Sequence, residues 1–150
     1  RRVLFRSKKI DEIALNLDEE VIAQIGSTKY KPKNMTYFSF MDDEKKFLDL
    51  YKNARVIVTH AGIGNLFKIF ILKKPVIIVP RLKKHNEHVD DHQLEITEVI
   101  KNKEEAVVVY DMEELRDALE KPKKISLKEN NKLVTFLKNY IQDLSIKTNH

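Results

Sequence analysis

Apolar positions along this chain switch between helical spacing and short β-branched runs, and the switches outline an alternating α/β fold. Ile10, Ile13, Ala14 and Leu17 recur at helical spacing, so Lys8–Asn16 reads as a helix or the end of one. Glu20–Ile25 predicts a strand closed by Gly26, Lys29–Asn34 a polar connection around Pro32, and Thr36–Phe40 a second short strand. Asp42 and Asp43 then open a helix that runs to about Asn53. Its acids sit at the positive end of the helix dipole, and Phe47, Leu48, Leu50 and Tyr51 face inward.

Val56–Thr59 is a continuous β-branched run, as expected of a strand buried on both faces. A helix over Ile63–Leu72 follows, then a strand over Val76–Val79 between Pro75 and Pro80, then a helix over 86–102. Ala106–Tyr110 predicts another strand and Asp111–Glu120 a helix capped by Asp111. Pro122 breaks the chain before a last amphipathic helix over Ser126–Leu144, with Leu127, Leu133, Val134, Leu137, Ile141 and Leu144 on one face. Strands alternating with helices imply a Rossmann-like parallel sheet covered on both faces. Such a unit ordinarily opens with a strand and a glycine-rich turn before its first helix. Here the chain enters almost directly into that helix, so the first strand is expected to be missing from this sequence.

Composition narrows the picture. A chain of 150 residues is large enough for one domain with a real core. No apolar stretch is long enough to span a bilayer, and the absence of cysteine excludes disulfides and thiolate chemistry. The net charge of +5 suggests an anionic partner. Yet three of the six arginines fall in Arg1–Ser7, and without them the net charge drops to +2. That leader resembles the translation of a sequencing-adapter oligonucleotide. The organisation expected is therefore a non-native leader over 1–7, a ligand-binding domain over 8–122, and a C-terminal helix over 123–150. A nucleic-acid partner is not expected. The C-terminal helix either covers the sheet or docks on a partner.

The candidate chemistry lies in loops at one edge of the sheet, where open α/β folds bind ligands. His60, Ala61, Gly62, Ile63, Gly64 and Asn65 join a strand to a helix. Gly62 and Gly64 permit close backbone approach, and the helix start offers free N–H groups to a diphosphate. The same glycines also suit a turn that needs them for geometry alone. Phe38–Asp43 ends a neighbouring strand, where backbone groups can read the edge of a base, though its aromatic residues read first as core. His85, His88 and His92, with Glu87, Asp90 and Asp91 among them, have one metal-like spacing but no accompanying general-base pattern. Asp91 and Gln93 are better suited to sugar hydroxyls.

Taken together, Thr59–Gly64, Lys73–Pro80 and Glu87–Glu95 resemble the C-terminal domain of family 28 glycosyltransferases. The similarity is strongest to its small one-domain subunits, which act on lipid-linked oligosaccharides or in exopolysaccharide synthesis. It extends over residues 8–120 or so. The resemblance implies one half of a GT-B enzyme, in which this domain holds a UDP-sugar. A membrane-associated partner subunit supplies the lipid-linked acceptor, and the complex is cytoplasmic and peripheral to the membrane. By position, Phe40 and Met41 would meet the uracil, His60 to Asn65 the diphosphate, and Asp91, His92 and Gln93 the donor sugar. One departure stands out. The helix after the glycine turn usually carries a glutamate that binds the ribose hydroxyls, and here that position is Lys68, which cannot accept their protons.

The reaction the resemblance implies is inverting transfer of a hexose or N-acetylhexosamine from the UDP-sugar. The helix N–H groups would stabilise the departing UDP. No DxD-type pair flanks the glycine turn, so neither a metal nor a cofactor is expected. The general base is unassigned. His60 is the catalytic candidate, although beside a leaving anion it is better placed to stabilise charge than to deprotonate an acceptor. A non-catalytic subunit that binds nucleotide or partner is the competing expectation, and Lys68 favours it. A NAD enzyme is disfavoured by the lack of GxGxxG.

Overall fold

A computed structural model describes residues 2–81, 91–102, 106–122, 135–140 and 142–143. The element order is α1 (Arg2–Ala14), β1 (Ile22–Gln24), β2 (Thr36–Phe38), α2 (Glu44–Asn53), β3 (Ile57–Thr59), α3 (Ile63–Ile71) and β4 (Val76–Ile78). Then come α4 (Asp91–Asn102), β5 (Val107–Val108), a 3-10 turn (Met112–Glu114) and α5 (Leu115–Glu120). Residues 135–140 are helical, within the last helix the sequence predicts; the rest of that span lies outside the described residues. All strand pairing is parallel, as the alternation requires, but it falls into two sheets among the described residues. One has the order β1-β2 and the other β3-β4-β5.

β4 explains how the larger sheet is buried. Side chains alternate across a strand, and each side of β4 belongs to a different cluster. Val76 and Ile78 pack with Leu66, Ile69 and Phe70 of α3, Ile96 and Ile100 of α4, and Leu137. Ile77 and Val79 pack with Met112, Leu115 and Leu119, flanked by Ile10 and Ile13 of α1. Helices therefore cover both faces. Leu66, Ile69 and Phe70 are fully buried, each worth about 1.5–3 kcal/mol of transfer free energy. That fixes α3, and with it the turn before it.

Three readings change. β3 is not buried on both faces: Ile57 is, but Val58 remains 36% exposed. Its side of the sheet is the one covered by α1 and α5, whose buried contacts centre on β4. Phe40 is not core either; it is 66% exposed and lies past the end of β2, beyond cover from either cluster. α1 also extends through the leader. Ser7 is buried, and the Arg6 guanidinium donates to the carbonyls of Val79 and Pro80, both at 2.7 Å. Residues 2–7 thus form the first turns of α1, which starts earlier than the sequence pattern predicts.

Local chemistry accounts for the remaining joints. Asp11 is buried on α1 and organises the connection before β2. Its carboxylate accepts from the Tyr30 hydroxyl at 2.6 Å, from the Asn34 amide at 2.7 Å and from the Lys33 amide at 3.0 Å. Burial alone would raise the Asp11 pKa, but these donors hold it below the ordinary carboxylate value. The same contact pushes the Tyr30 hydroxyl up to about 12. Arg55 clamps Glu19 and the Leu119 carbonyl at 2.8 and 3.1 Å. Behind α3, Lys73 takes a left-handed conformation, φ 55°. The Lys73 and Lys74 amides then bond back to the Phe70 and Ile69 carbonyls, closing the helix without the usual glycine.

Candidate functional site

Parallel pairing brings the loops together. Thr59 lies opposite Ile78, and the Val79 amide donates to the Thr59 carbonyl at 2.8 Å. The turn after β3 and the chain leaving β4 therefore emerge side by side at one sheet edge. Residues 82–90 follow, so the expected positions His85, Glu87, His88 and Asp90 lie outside the described residues.

The turn itself has a definite geometry. Ala61 is fully buried and anchors it, while Gly64 is exposed. The Gly62 amide donates to the His60 carbonyl at 2.8 Å and to His60 Nδ1 at 3.1 Å. With Nδ1 accepting, a neutral imidazole carries its proton on Nε2. Gly62 is required by its neighbour, because a Cβ there would come within 2.8 Å of the His60 ring. Gly64 differs: a Cβ there would meet nothing within 4 Å. Gly62 is the N-cap of α3 and makes no side-chain capping bond. The first amides of the helix, at Ile63, Gly64 and Asn65, thus form an uncapped positive terminus suited to an anion.

The base-side candidates follow β2. Phe40 and Met41 leave the strand, and Asp43 caps α2 by accepting from the Lys46 amide at 3.1 Å. Phe40 lies beside Gly26, whose φ of 60° lets the chain turn after β1. Lys68, one turn along α3 from Gly64, donates to Glu44 at the start of α2 at 2.8 Å. This contact ties the base-side segment to the anion-side helix. Lys68 pulls the Glu44 pKa below its ordinary value, through the direct hydrogen bond and then through charge. Glu44 was not legible as the partner of Lys68, since a first-turn acid reads simply as a dipole partner. The opposite charge at Lys68 was the available signal.

Gln93 sits near the start of α4, and its side-chain oxygen is buried with no hydrogen-bond partner among the described residues. A buried acceptor left unpaired is costly, so this atom is one a ligand hydroxyl would satisfy. Asp91 and His92 begin the same helix, and their side chains lie outside the described ones. Among the described residues, no group of three or more His, Cys, Asp or Glu residues is arranged to hold a metal ion. None of their helices is long and apolar enough to cross a membrane. An apolar cleft along α4, lined by Leu94, Val99, Phe136 and Tyr140, shares no residue with this site.

Comparison with known proteins agrees with the architecture. The glycosyltransferase family 28 C-terminal domain matches residues 5–144. The UDP-N-acetylglucosamine transferase subunit ALG13 of Debaryomyces hansenii is 26% identical over 96 residues, which is 62% of this chain and 44% of that protein. The crystal structure of the glycotransferase of kitacinnamycin superposes with a TM-score of 0.51 at 16% identity, covering 91% of this chain and 34% of that one. That likeness is one of fold, a Rossmann-like glycosyltransferase half of GT-B type. The chain spans less than half the length of either relative.

Proposed function

The chain belongs to glycosyltransferase family 28 through its C-terminal domain, and from that premise we propose that it is the UDP-sugar-binding subunit of a glycosyltransferase. The observation that carries this reading is the uncapped start of α3, where Gly64 faces open space. The diphosphate rests on the amides of Ile63, Gly64 and Asn65, the uracil meets backbone groups at Phe40 and Met41, and the sugar reaches Asp91, His92 and Gln93. As the glycosidic bond breaks, negative charge builds on UDP. The helix terminus and His60 Nε2–H stabilise it where it forms.

The acceptor in this reading is a lipid-linked sugar. A membrane-associated partner subunit presents it from the opposite side of the cleft and keeps the domain at the cytoplasmic face of the membrane. The sugar is a hexose or N-acetylhexosamine and transfers with inversion. The general base is unassigned in this reading, and the partner subunit is one place for it. Neither a metal nor a cofactor takes part, because the amide terminus supplies the positive charge. A second reading, a nucleotide-binding subunit without turnover, draws on Lys68, which is held by Glu44.

Titration of amide NMR spectra with UDP, using ADP and GDP as controls, tests the site. Shifts selective for UDP at Gly62, Gly64 and Gln93 are expected. A dispersed spectrum that ignores UDP would refute the nucleotide site.

A further inference from the structure

Lys68 Nζ and Glu44 Oε1, 2.8 Å apart, join α3 to the first residue of α2. We infer that Glu44 is the residue that reads the ribose hydroxyls of the bound nucleotide, with Lys68 as the cation that positions it. The inference rests on the nucleotide reading above and adds to it a specificity residue on a different helix.

The placement follows from the order of parts in a nucleoside diphosphate. Ribose lies between base and diphosphate. If the diphosphate meets the α3 amides around Gly64 and the base meets Met41, the ribose must cross the ground between them. Lys68 is four residues beyond Gly64, one helical turn along the same face. Glu44 is three residues beyond Met41, at the start of α2. Their ion pair therefore links the segment that follows Met41 to the helix that begins at Gly64.

Chemistry then separates the two side chains. A vicinal diol offers two hydroxyl donors and is best recognised by a group that accepts both. An ammonium has donors only, whereas an ionised carboxylate has two oxygens and about four lone-pair positions. Lys68 takes up part of one oxygen and leaves the other open. Glu44 remains largely exposed beside Lys68, accessible to a ligand and not sealed in the fold. The ammonium also lowers the Glu44 pKa, through the hydrogen bond first and then through charge. Asp42 and Asp43 are the neighbouring acids, and Asp43 is already engaged in capping α2.

The test compares binding of UDP and 2′,3′-dideoxy-UDP to the whole chain by calorimetry. Wild type should prefer UDP by roughly tenfold or more, the worth of hydrogen bonds to a charged acceptor. Glu44→Gln should lower UDP affinity by about that factor, leave the dideoxy analogue unchanged, and keep the thermal midpoint of wild type. The charge-swapped double variant Glu44→Lys/Lys68→Glu should regain part of the preference, because it returns a carboxylate to the same place. Equal losses for both ligands in Glu44→Gln would overturn the assignment, as would a wild type that binds both alike, while the nucleotide site itself would stand. No binding of UDP at all would remove both.

Discussion

Replacing Gly64 by alanine should separate folding from ligand binding, because the structure gives this glycine no packing reason to be one. Its φ is not positive, it lies in the first turn of α3, and an added Cβ meets nothing within 4 Å. Relieving the backbone entropy of a helical glycine is worth roughly 0.5–1 kcal/mol. In a chain of this length that raises the thermal midpoint by about 1–4 °C. UDP should respond in the opposite direction. A methyl group over the helix terminus holds the diphosphate away from one or two amides, each worth about 1.5–3 kcal/mol as a charge-assisted hydrogen bond. Affinity should therefore fall at least roughly tenfold. Gly62→Ala supplies the contrast. Its Cβ would come within 2.8 Å of the His60 ring, so it must displace the imidazole and lose the Nδ1 bond. Thermal melts and UDP calorimetry on both variants read these effects together. A Gly64→Ala protein that is more stable and still binds UDP as tightly as wild type would refute a diphosphate on this turn.

Two further predictions concern the frame. Asp11→Ala leaves the Lys33 and Asn34 amides and the Tyr30 hydroxyl without their acceptor and should destabilise by roughly 2–4 kcal/mol in urea melts. Because the folded Asp11 pKa is lowered, its contribution is full above the ordinary aspartate range and is withdrawn as pH falls through the folded value. The wild-type advantage over Asp11→Ala should shrink in acid; an advantage that grew instead would contradict the assignment. Lys73→Gly relieves a non-glycine residue at φ 55° and should gain up to about 1 kcal/mol, net of the flexibility glycine adds to the unfolded chain. A lowered thermal midpoint would count against that backbone geometry.

How legible these features were depended on where their cause lies in the chain. β4 and α3 were readable because their burial is written locally. Val76–Val79 is apolar at every position, and Leu66, Ile69 and Phe70 recur at helical spacing. Asp43 and Asp111 were readable as caps for the same reason, and both accept the expected backbone bonds. Val58 and Phe40 were misjudged because hydrophobicity does not reveal how far a covering helix reaches. Asp11 carries no local signal of its role, since its partners stand 19 to 23 residues away. The glycine turn was visible from its pattern, but the division of labour between Gly62 and Gly64 needed the His60 ring in place. Glu44 and Lys68 are 24 residues apart, and only folding makes them neighbours.

β4 also has a consequence for accuracy at the sheet edge. Val76 and Ile78 serve one cluster while Ile77 and Val79 serve the other, so the strand works as a partition between two compartments. A slip of one residue along it would exchange all four side chains between them at once. Neither compartment can accommodate the exchange independently, and intermediate registers are excluded for the same reason. The register in which the chain leaves the sheet after Val79 is consequently fixed. Hydrogen exchange should find the central β4 amides among the slowest in the protein, with the loop beyond them launched from a stationary base.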